Sequence, residues 1–320
     1  MTATRLDVVI PVHCEEEALP GVVAAVGAEL AALDVQYRVI VVDDGSNDGT
    51  WQAIEALCKA EPQVAGVRLS RRFGKESAVS AGLELVDADA VLVMDGDGQH
   101  PPSLIPELVR AWRAGAADVV EAVKRERGDE SWLHRVSARA FYALTSRLSG
   151  YDLREATDFK LLDRRVLDEW RALPERNLFF RGMVAWLGFR RERIPFSVSP
   201  RAGGESRFTP WALLNLGLTA VTAFFTVPLR LVTLVGGLFL LFSFALALQT
   251  LWVWGSGRAV SGFTTVILLL LVLGSALLLG LGVIGEYLAR IYQEVKGRPR
   301  YVSAERVGAL PSPRAEGEGE

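Results

Sequence analysis

The sequence predicts an α/β domain built on a mostly parallel sheet, followed by two membrane-crossing helices. Three observations carry this. Continuous apolar runs alternate with helix-like stretches from Leu6 to Val123. Acidic turns directly follow the second and fourth of those runs. The chain then carries no charge from Leu231 to Gly257, nor from Ala259 to Gly285, with Arg258 between. Half of the 320 residues are hydrophobic and mean hydropathy is +0.23. Most of that excess lies in the second half, so the net charge of −3 averages two unlike regions.

Each element has its own signal. Leu6 to Val12 is a short apolar run ending near Pro11, and Glu16 to Leu33 is Ala-rich with helical spacing. Arg38 to Val42 is β-branched and runs into Asp43-Asp44-Gly45-Ser46. A helix over Gly49 to Ala60 follows, then a strand at Val64 to Leu69 and a helix at Lys75 to Leu85. Ala90 to Met94 is a fourth strand, ending in Asp95-Gly96-Asp97. Pro101 to Ala114 begins with prolines, which the first helical turn tolerates. Asp118 to Val123 is a fifth strand. Apolar strands separated by helices imply a parallel sheet covered on both faces. Ligands of such sheets bind beyond the carboxyl ends of the strands, where both acidic turns lie. No G-x-G-x-x-G follows the first strand, which argues against a dinucleotide oxidoreductase.

About 20 apolar residues cross a bilayer core, so spans are expected at 231–257 and 259–285. Arg230 precedes the first, while Arg290, Lys296, Arg298 and Arg300 follow the second. The positive-inside rule puts both ends in the cytosol. Phe208 to Leu229 is uncharged but carries Pro210, Asn215, Thr219, Thr222 and Pro228. It is expected to lie in the membrane surface. The expected organisation is a cytosolic domain over 1–207, an interfacial helix over 208–229, a two-helix membrane domain over 230–290 and a cytosolic tail over 291–320. The tail from Pro311 onward is expected to be disordered. Trp211, Trp252 and Trp254 fit interfacial anchoring. Two cysteines, Cys14 and Cys58, make no disulfide framework and fit a reducing compartment. Met1 to Asp7 lacks the apolar core of a signal peptide.

Two carboxylates at a strand end, Asp95 and Asp97, suit Mg²⁺ or Mn²⁺, which take oxygen ligands and share them with substrate phosphates. Gln99 can add a carbonyl oxygen. A bound cation would stabilise a diphosphate leaving group. Asp43 or Asp44 can accept from a nucleobase or ribose, unless they cap the next helix; Asp48 is the better cap. Pro11 and Glu15 follow the first strand, beside the same pocket. His13-Cys14 has no partners at ligand spacing.

Val9-Ile10-Pro11-Val12-His13-Cys14-Glu15-Glu16, Val41-Val42-Asp43-Asp44-Gly45-Ser46-Asn47-Asp48-Gly49-Thr50 and Asp95-Gly96-Asp97-Gly98-Gln99-His100-Pro101-Pro102 resemble the family 2 inverting glycosyltransferases. Ser70 to Glu76, Asp158 to Arg164, Pro174 to Asn177 and Arg201 to Phe208 are similar to one subgroup, the polyprenyl-phosphate glycosyltransferases, and most of all to its bacterial two-span form. The resemblance implies a GT-A fold, Mg²⁺ or Mn²⁺, and inverting transfer from a nucleotide-sugar to a lipid phosphate. UDP-glucose is the expected donor and undecaprenyl phosphate the expected acceptor. GDP-mannose, UDP-galactose, UDP-GlcNAc and UDP-aminoarabinose are alternative donors, and a non-catalytic membrane scaffold is the reading from another class.

Carried over by position, Pro11, Val12, Glu15, Asp43, Asp44, Lys75, Asp95 and Gly96 would bind the nucleotide-sugar. Asp95, Asp97 and Gln99 would hold the metal. Asp97 and Asp158 would be catalytic, with Asp158 acting either as base or as a sugar-orienting group. Lys124, Arg135, Arg201 and Arg207 would bind the acceptor phosphate. The resemblance also implies a membrane location, a homo-oligomer such as a tetramer, and no nucleic-acid partner. Two departures stand out. Cys14 replaces the usual asparagine, and Ala156-Thr157 stands where the subgroup often has Thr-Gly.

Overall fold

The computed structural model describes residues 4–124, 157–173, 175, 180–196, 227–256 and 262–311. The chain divides into a sheet unit and a helical unit. The first comprises Met1–Ser146, Gly150–Glu205 and Pro299–Glu320, and the second Arg147–Ser149 and Ser206–Arg298.

The sheet unit opens with β1 (Arg5–Val12), α1 (Leu19–Ala31), β2 (Gln36–Asp43), α2 (Thr50–Ala60), β3 (Val64–Leu69), α3 (Lys75–Glu84) and β4 (Ala90–Val93). A short 3₁₀ turn at Pro102–Leu104 leads into α4 (Ile105–Arg113) and then β5 (Val119–Lys124). Further along come β6 (Lys160–Asp163), α5 (Arg164–Ala172), α6 (Phe180–Trp186), β7 (Arg191–Phe196) and β8 (Ser303–Val307). The eight strands form one sheet in the order β7-β5-β6-β4-β1-β2-β3-β8.

The predicted apolar runs become central strands because both their faces are covered. In β1 every residue after Arg5 is buried. Val8, Ile10, Val39 and Val41 join α1 residues Val23, Val26 and Leu30 in the main core. β1 pairs in parallel with β2 and β4, with Val12 opposite Asp43 and Val9 opposite Val93. The carboxyl ends of β1, β2 and β4 therefore share one edge, and the two acidic turns leave the sheet side by side.

The expected run of parallel strands from the fourth to the fifth is interrupted. β6 inserts between β4 and β5 and is antiparallel to both. Glu121 faces Lys160 across this pairing, and their fully buried side chains meet at 2.7 Å. Leaving either charge unpaired there would be costly, which ties β6 to one register. β5 still points the same way as β4, so Lys124 ends at the ligand edge. At the other end, β8 adds antiparallel to β3. Residues 299–310, expected to be tail, thus belong to the sheet unit.

The helical unit holds α7 (Val227–Gly255) and α8 (Phe263–Val295). The expected surface helix over 208–229 lies outside the described residues, except that its last three residues open α7. The expectation of two spans is supported only in part. Among the described residues one stretch, Val272–Ala289, is long and apolar enough to cross a membrane; in α7 the apolar run Leu234–Leu246 is shorter. Leu278 and Leu279 on α8 are 71% and 73% exposed, so α8 is not the hidden core helix of a soluble fold.

Candidate active site

Beyond the shared carboxyl edge lies a cleft of about 270 Å³. Pro11, Val12, Glu15, Asp44, Lys75, Asp95, Gly96 and Asp97 line it, all of them expected from the sequence; His13, Arg72 and Ala78 are additions. Asp43 is not among the lining residues.

The turn after β4 is held by a residue that sequence reasoning passed over. His100 Nδ1 accepts the Asp95 backbone N–H at 3.0 Å. That bond requires Nδ1 to be unprotonated. The His100 ring is buried, stacked on Phe159 at 5.0 Å and edge-on to Phe196 at 6.2 Å. Packing therefore fixes the imidazole, and the imidazole fixes the start of the turn. Asp97 closes the turn on itself by accepting the Gln99 N–H at 3.0 Å.

Asp158 is buried and meets two cations. Lys75 Nζ donates to Oδ2 at 2.6 Å. Arg181 reaches it with both arms, Nε to Oδ1 at 2.6 Å and Nη2 to Oδ2 at 2.7 Å. Burial pushes this carboxyl up, but the Arg181 hydrogen bonds and charge, with Lys75, outweigh it and hold it well below the usual carboxylate range. Lys75 Nζ also lies 2.5 Å from Asp95 Oδ1, so one ammonium links the turn to Asp158. Burial opposes that ammonium's charge, and Asp95 and Asp158 more than restore it. The next residue, Glu76, accepts the Phe180 N–H at the start of α6 at 2.7 Å. Burial pushes the Glu76 carboxyl up to about 7 despite that hydrogen bond.

Asp43 and Asp44 act mainly on the protein's own backbone. Asp43 is fully buried; its Oδ1 accepts the Ser46 N–H at 2.9 Å and its Oδ2 lies 3.5 Å from Arg68 Nε. Asp44 accepts the N–H groups of Phe73 and Gly74 at 2.7–3.1 Å. Gly74 has φ +101°, a conformation that glycine adopts without strain, and α3 begins at the next residue. Asp44 thereby sets where Lys75 starts. Asp48 binds the head of α2 as expected, accepting the Thr50 N–H at 3.1 Å. Cys14 has a left-handed backbone, φ 57°, a region in which asparagine is enriched.

A family model described as Glycosyl transferase family 2 matches residues 7–171. The chain belongs to glycosyl transferase family 2. An uncharacterized glycosyltransferase of Synechocystis sp. is 38% identical over 303 residues, covering 93% of this chain and 94% of that protein. The SfII prophage-derived bactoprenol glucosyl transferase of Shigella flexneri is 37% identical over 303 residues, covering 93% and 97%. Among solved structures, glucosyl-3-phosphoglycerate synthase from Mycobacterium tuberculosis, in complex with Mn²⁺, UDP-glucose and phosphoglyceric acid, aligns with a TM-score of 0.47 at 19% identity, over 68% of this chain and 78% of that one.

For this family 2 glycosyltransferase the donor set of the Asp95–Gln99 turn fits a hard divalent cation. Apart from its ion pair with Lys75, Asp95 Oδ1 is buried without a hydrogen-bond partner. Asp97 is exposed at the cleft. Among the described residues there is no group of three or more His, Cys, Asp or Glu side chains that could hold a metal. A cation here would take its remaining ligands from phosphate oxygens and water, as Mg²⁺ does. Lys124 is the last residue of β5. Arg135, Arg201 and Arg207 lie outside the described residues. Arg181 and Glu76 were not foreseen as site residues.

Proposed function

We propose that this glycosyltransferase moves glucose, with inversion, from UDP-glucose to undecaprenyl or a related polyprenyl phosphate at the cytosolic face of the cytoplasmic membrane. The observation that carries the reading is the convergence of Asp95, Asp97 and Lys75 in one cleft at the carboxyl edge of the sheet, with Asp158 held to Lys75. The names of relatives such as the Shigella flexneri bactoprenol glucosyl transferase, similar over nearly the whole chain, support the lipid acceptor. The apolar stretch Val272–Ala289 supports a membrane location, with both termini cytosolic and a homo-oligomer such as a tetramer as part of the proposal.

In this reading the nucleophile is an acceptor phosphate oxygen, already ionised at neutral pH, so no strong base is needed. Asp158 suits that chemistry, because both its oxygens are engaged by cations and its affinity for a proton is low. It would act by holding Lys75 and Arg181 in place, and Lys75 would meet the donor diphosphate. A Mg²⁺ or Mn²⁺ ion held by Asp95, Asp97 and Gln99 would supply charge neutralisation of the departing nucleotide. Pro11, Val12, Glu15, Asp44 and Gly96 would line the donor site, with Asp43 supporting it from behind. Lys124, Arg135, Arg201 and Arg207 would bind the acceptor phosphate. Positioning and charge compensation supply the rate.

The test is a donor screen. Full-length protein in detergent receives polyprenyl phosphate, Mg²⁺ or Mn²⁺ and radiolabelled nucleotide-sugars, and the lipid fraction is analysed by mass. A glucosyl lipid formed from UDP-glucose is expected. A different sugar on the lipid would overturn the donor assignment alone, and no glycolipid with any donor would overturn the reaction.

A further inference from the structure

The part of the chain that follows α8 bonds α3, one of the two elements that deliver side chains to Asp158, and two carbonyls that lie between α5 and the other, α6. α3 begins at Lys75, which bonds Asp158, and at Glu76, which bonds the first N–H of α6. It ends at Glu84. There, Tyr301 Oη donates to Glu84 Oε2 at 2.5 Å, and Arg300 Nη1 lies 3.9 Å from Glu84 Oε1. Arg300 Nη2 also donates to the carbonyls of Leu173 and Glu175, both at 2.7 Å. Those carbonyls follow α5 and precede α6, the helix that carries Arg181. The Arg300 guanidinium lies 5.8 Å from the ring centroid of buried Trp170 on α5, and its side chain is only 16% exposed.

A planar, multi-donor guanidinium can serve two carbonyls and a carboxylate at once, which an ammonium does less well. Arg300 also suits the end of α5, where carbonyls are left without helical partners. The grip is itself anchored. Ser70 N donates to Val302 O at 2.8 Å, β8 pairs with β3, and Arg68 meets Glu305 at 3.0 Å. Arg171 on α5 ties the same end of α3 by donating to the carbonyls of Leu83 and Val86. Arg300 and Tyr301 therefore tie the end of α3 to the carbonyls of Leu173 and Glu175, and Asp158 ties the start of α3 to Arg181 of α6.

We propose that Arg300 and Tyr301 are positioning residues, acting through α3 and the carbonyls of Leu173 and Glu175 to set the Lys75–Asp158–Arg181 network. The chain after its last apolar helix is thus a working part of the active site. Its kinetic test rests on the proposed transfer reaction; its exchange test does not.

The experiment compares wild-type full-length protein in detergent with Arg300→Ala, Arg300→Lys and Tyr301→Phe. It reads kcat, donor KM, thermal midpoint and amide hydrogen exchange. Arg300→Ala should lower kcat about tenfold with little change in donor KM, and should speed exchange in Phe180–Trp186 while leaving β1 and β4 protected. Arg300→Lys should recover part of the loss, and Tyr301→Phe, which deletes one hydroxyl, should show a smaller effect of the same kind. A lower thermal midpoint with kcat and Phe180–Trp186 exchange unchanged would make these residues a fastening of the sheet edge only, and would overturn the proposal. If Arg300→Ala fails to fold, Tyr301→Phe decides: wild-type kcat and exchange in that variant overturn the proposal. If the wild type makes no glycolipid, the reaction reading fails, and the exchange result still decides the positioning claim.

Discussion

Asp158 takes hydrogen bonds on both carboxylate oxygens, from Lys75 and from both arms of Arg181. A carboxylate so engaged is a poor proton acceptor. Asp158→Asn keeps the size of the side chain and removes the charge that two cations share. We expect kcat to fall about a hundredfold, by the same factor at every pH between about 6 and 9. A deficit that shrinks as pH rises would instead mark Asp158 as a base.

Glu76 offers a second test at this scale. Its carboxyl moves from an ordinary 4.5 to about 7 in the folded chain. Between those values the folded state binds more protons than the unfolded state, so this group's contribution to stability declines as pH rises through that window. Glu76→Gln should flatten that part of the curve of thermal midpoint against pH; an unaltered slope would contradict the assignment. The sequence was legible for Asp95, Asp97 and Lys75 because they stand in turns directly after strands or at a helix start. Arg181, Glu76 and His100 were not legible as a network. Glu76 reaches the Phe180 N–H across 104 positions of chain, Arg181 reaches Asp158 from another element, and His100 is fixed by Phe159 and Phe196, which are distant in sequence.

At the scale of elements, the β-α alternation through β5 was readable, since buried parallel strands write themselves as unbroken apolar runs. β6 was not. It spans only four residues, Lys160–Asp163, and opens with a lysine that nothing in the local pattern marks as buried. Its burial depends on Glu121 in another strand. β8 was missed for a related reason: Ser303–Val307 is mostly exposed along its length and is a strand because the edge of β3 is there to pair with it. Helix packing on the sheet gives a sharper prediction. A Cβ on Gly82 of α3 would collide with Val9 Cγ1 of β1 and come within 3.2 Å of Val42 Cγ2 of β2. Gly82→Val should therefore destabilise the protein by about 1–3 kcal/mol, read as a lower thermal midpoint. A midpoint equal to wild type would mean that α3 does not sit this close to the sheet.

At the scale of the molecule, the chain leaves the sheet unit, forms α7 and α8, and returns to the sheet unit at Pro299. Charge-free length in the sequence announced both apolar helices. Val272–Ala289 meets the requirement for crossing and fits an enzyme whose acceptor is a lipid. We propose that the Asp95–Asp97 turn serves metal-dependent transfer of a sugar to that lipid. The most direct measurement is formation of glucosyl lipid from UDP-glucose and polyprenyl phosphate by wild type and Asp97→Ala, each with Mn²⁺ and with a chelator, and with folding followed by circular dichroism. Product is expected only from wild type with the metal, and Asp97→Ala is expected to fold and make none. Equal product from a folded Asp97→Ala, or from wild type in chelator, would contradict it.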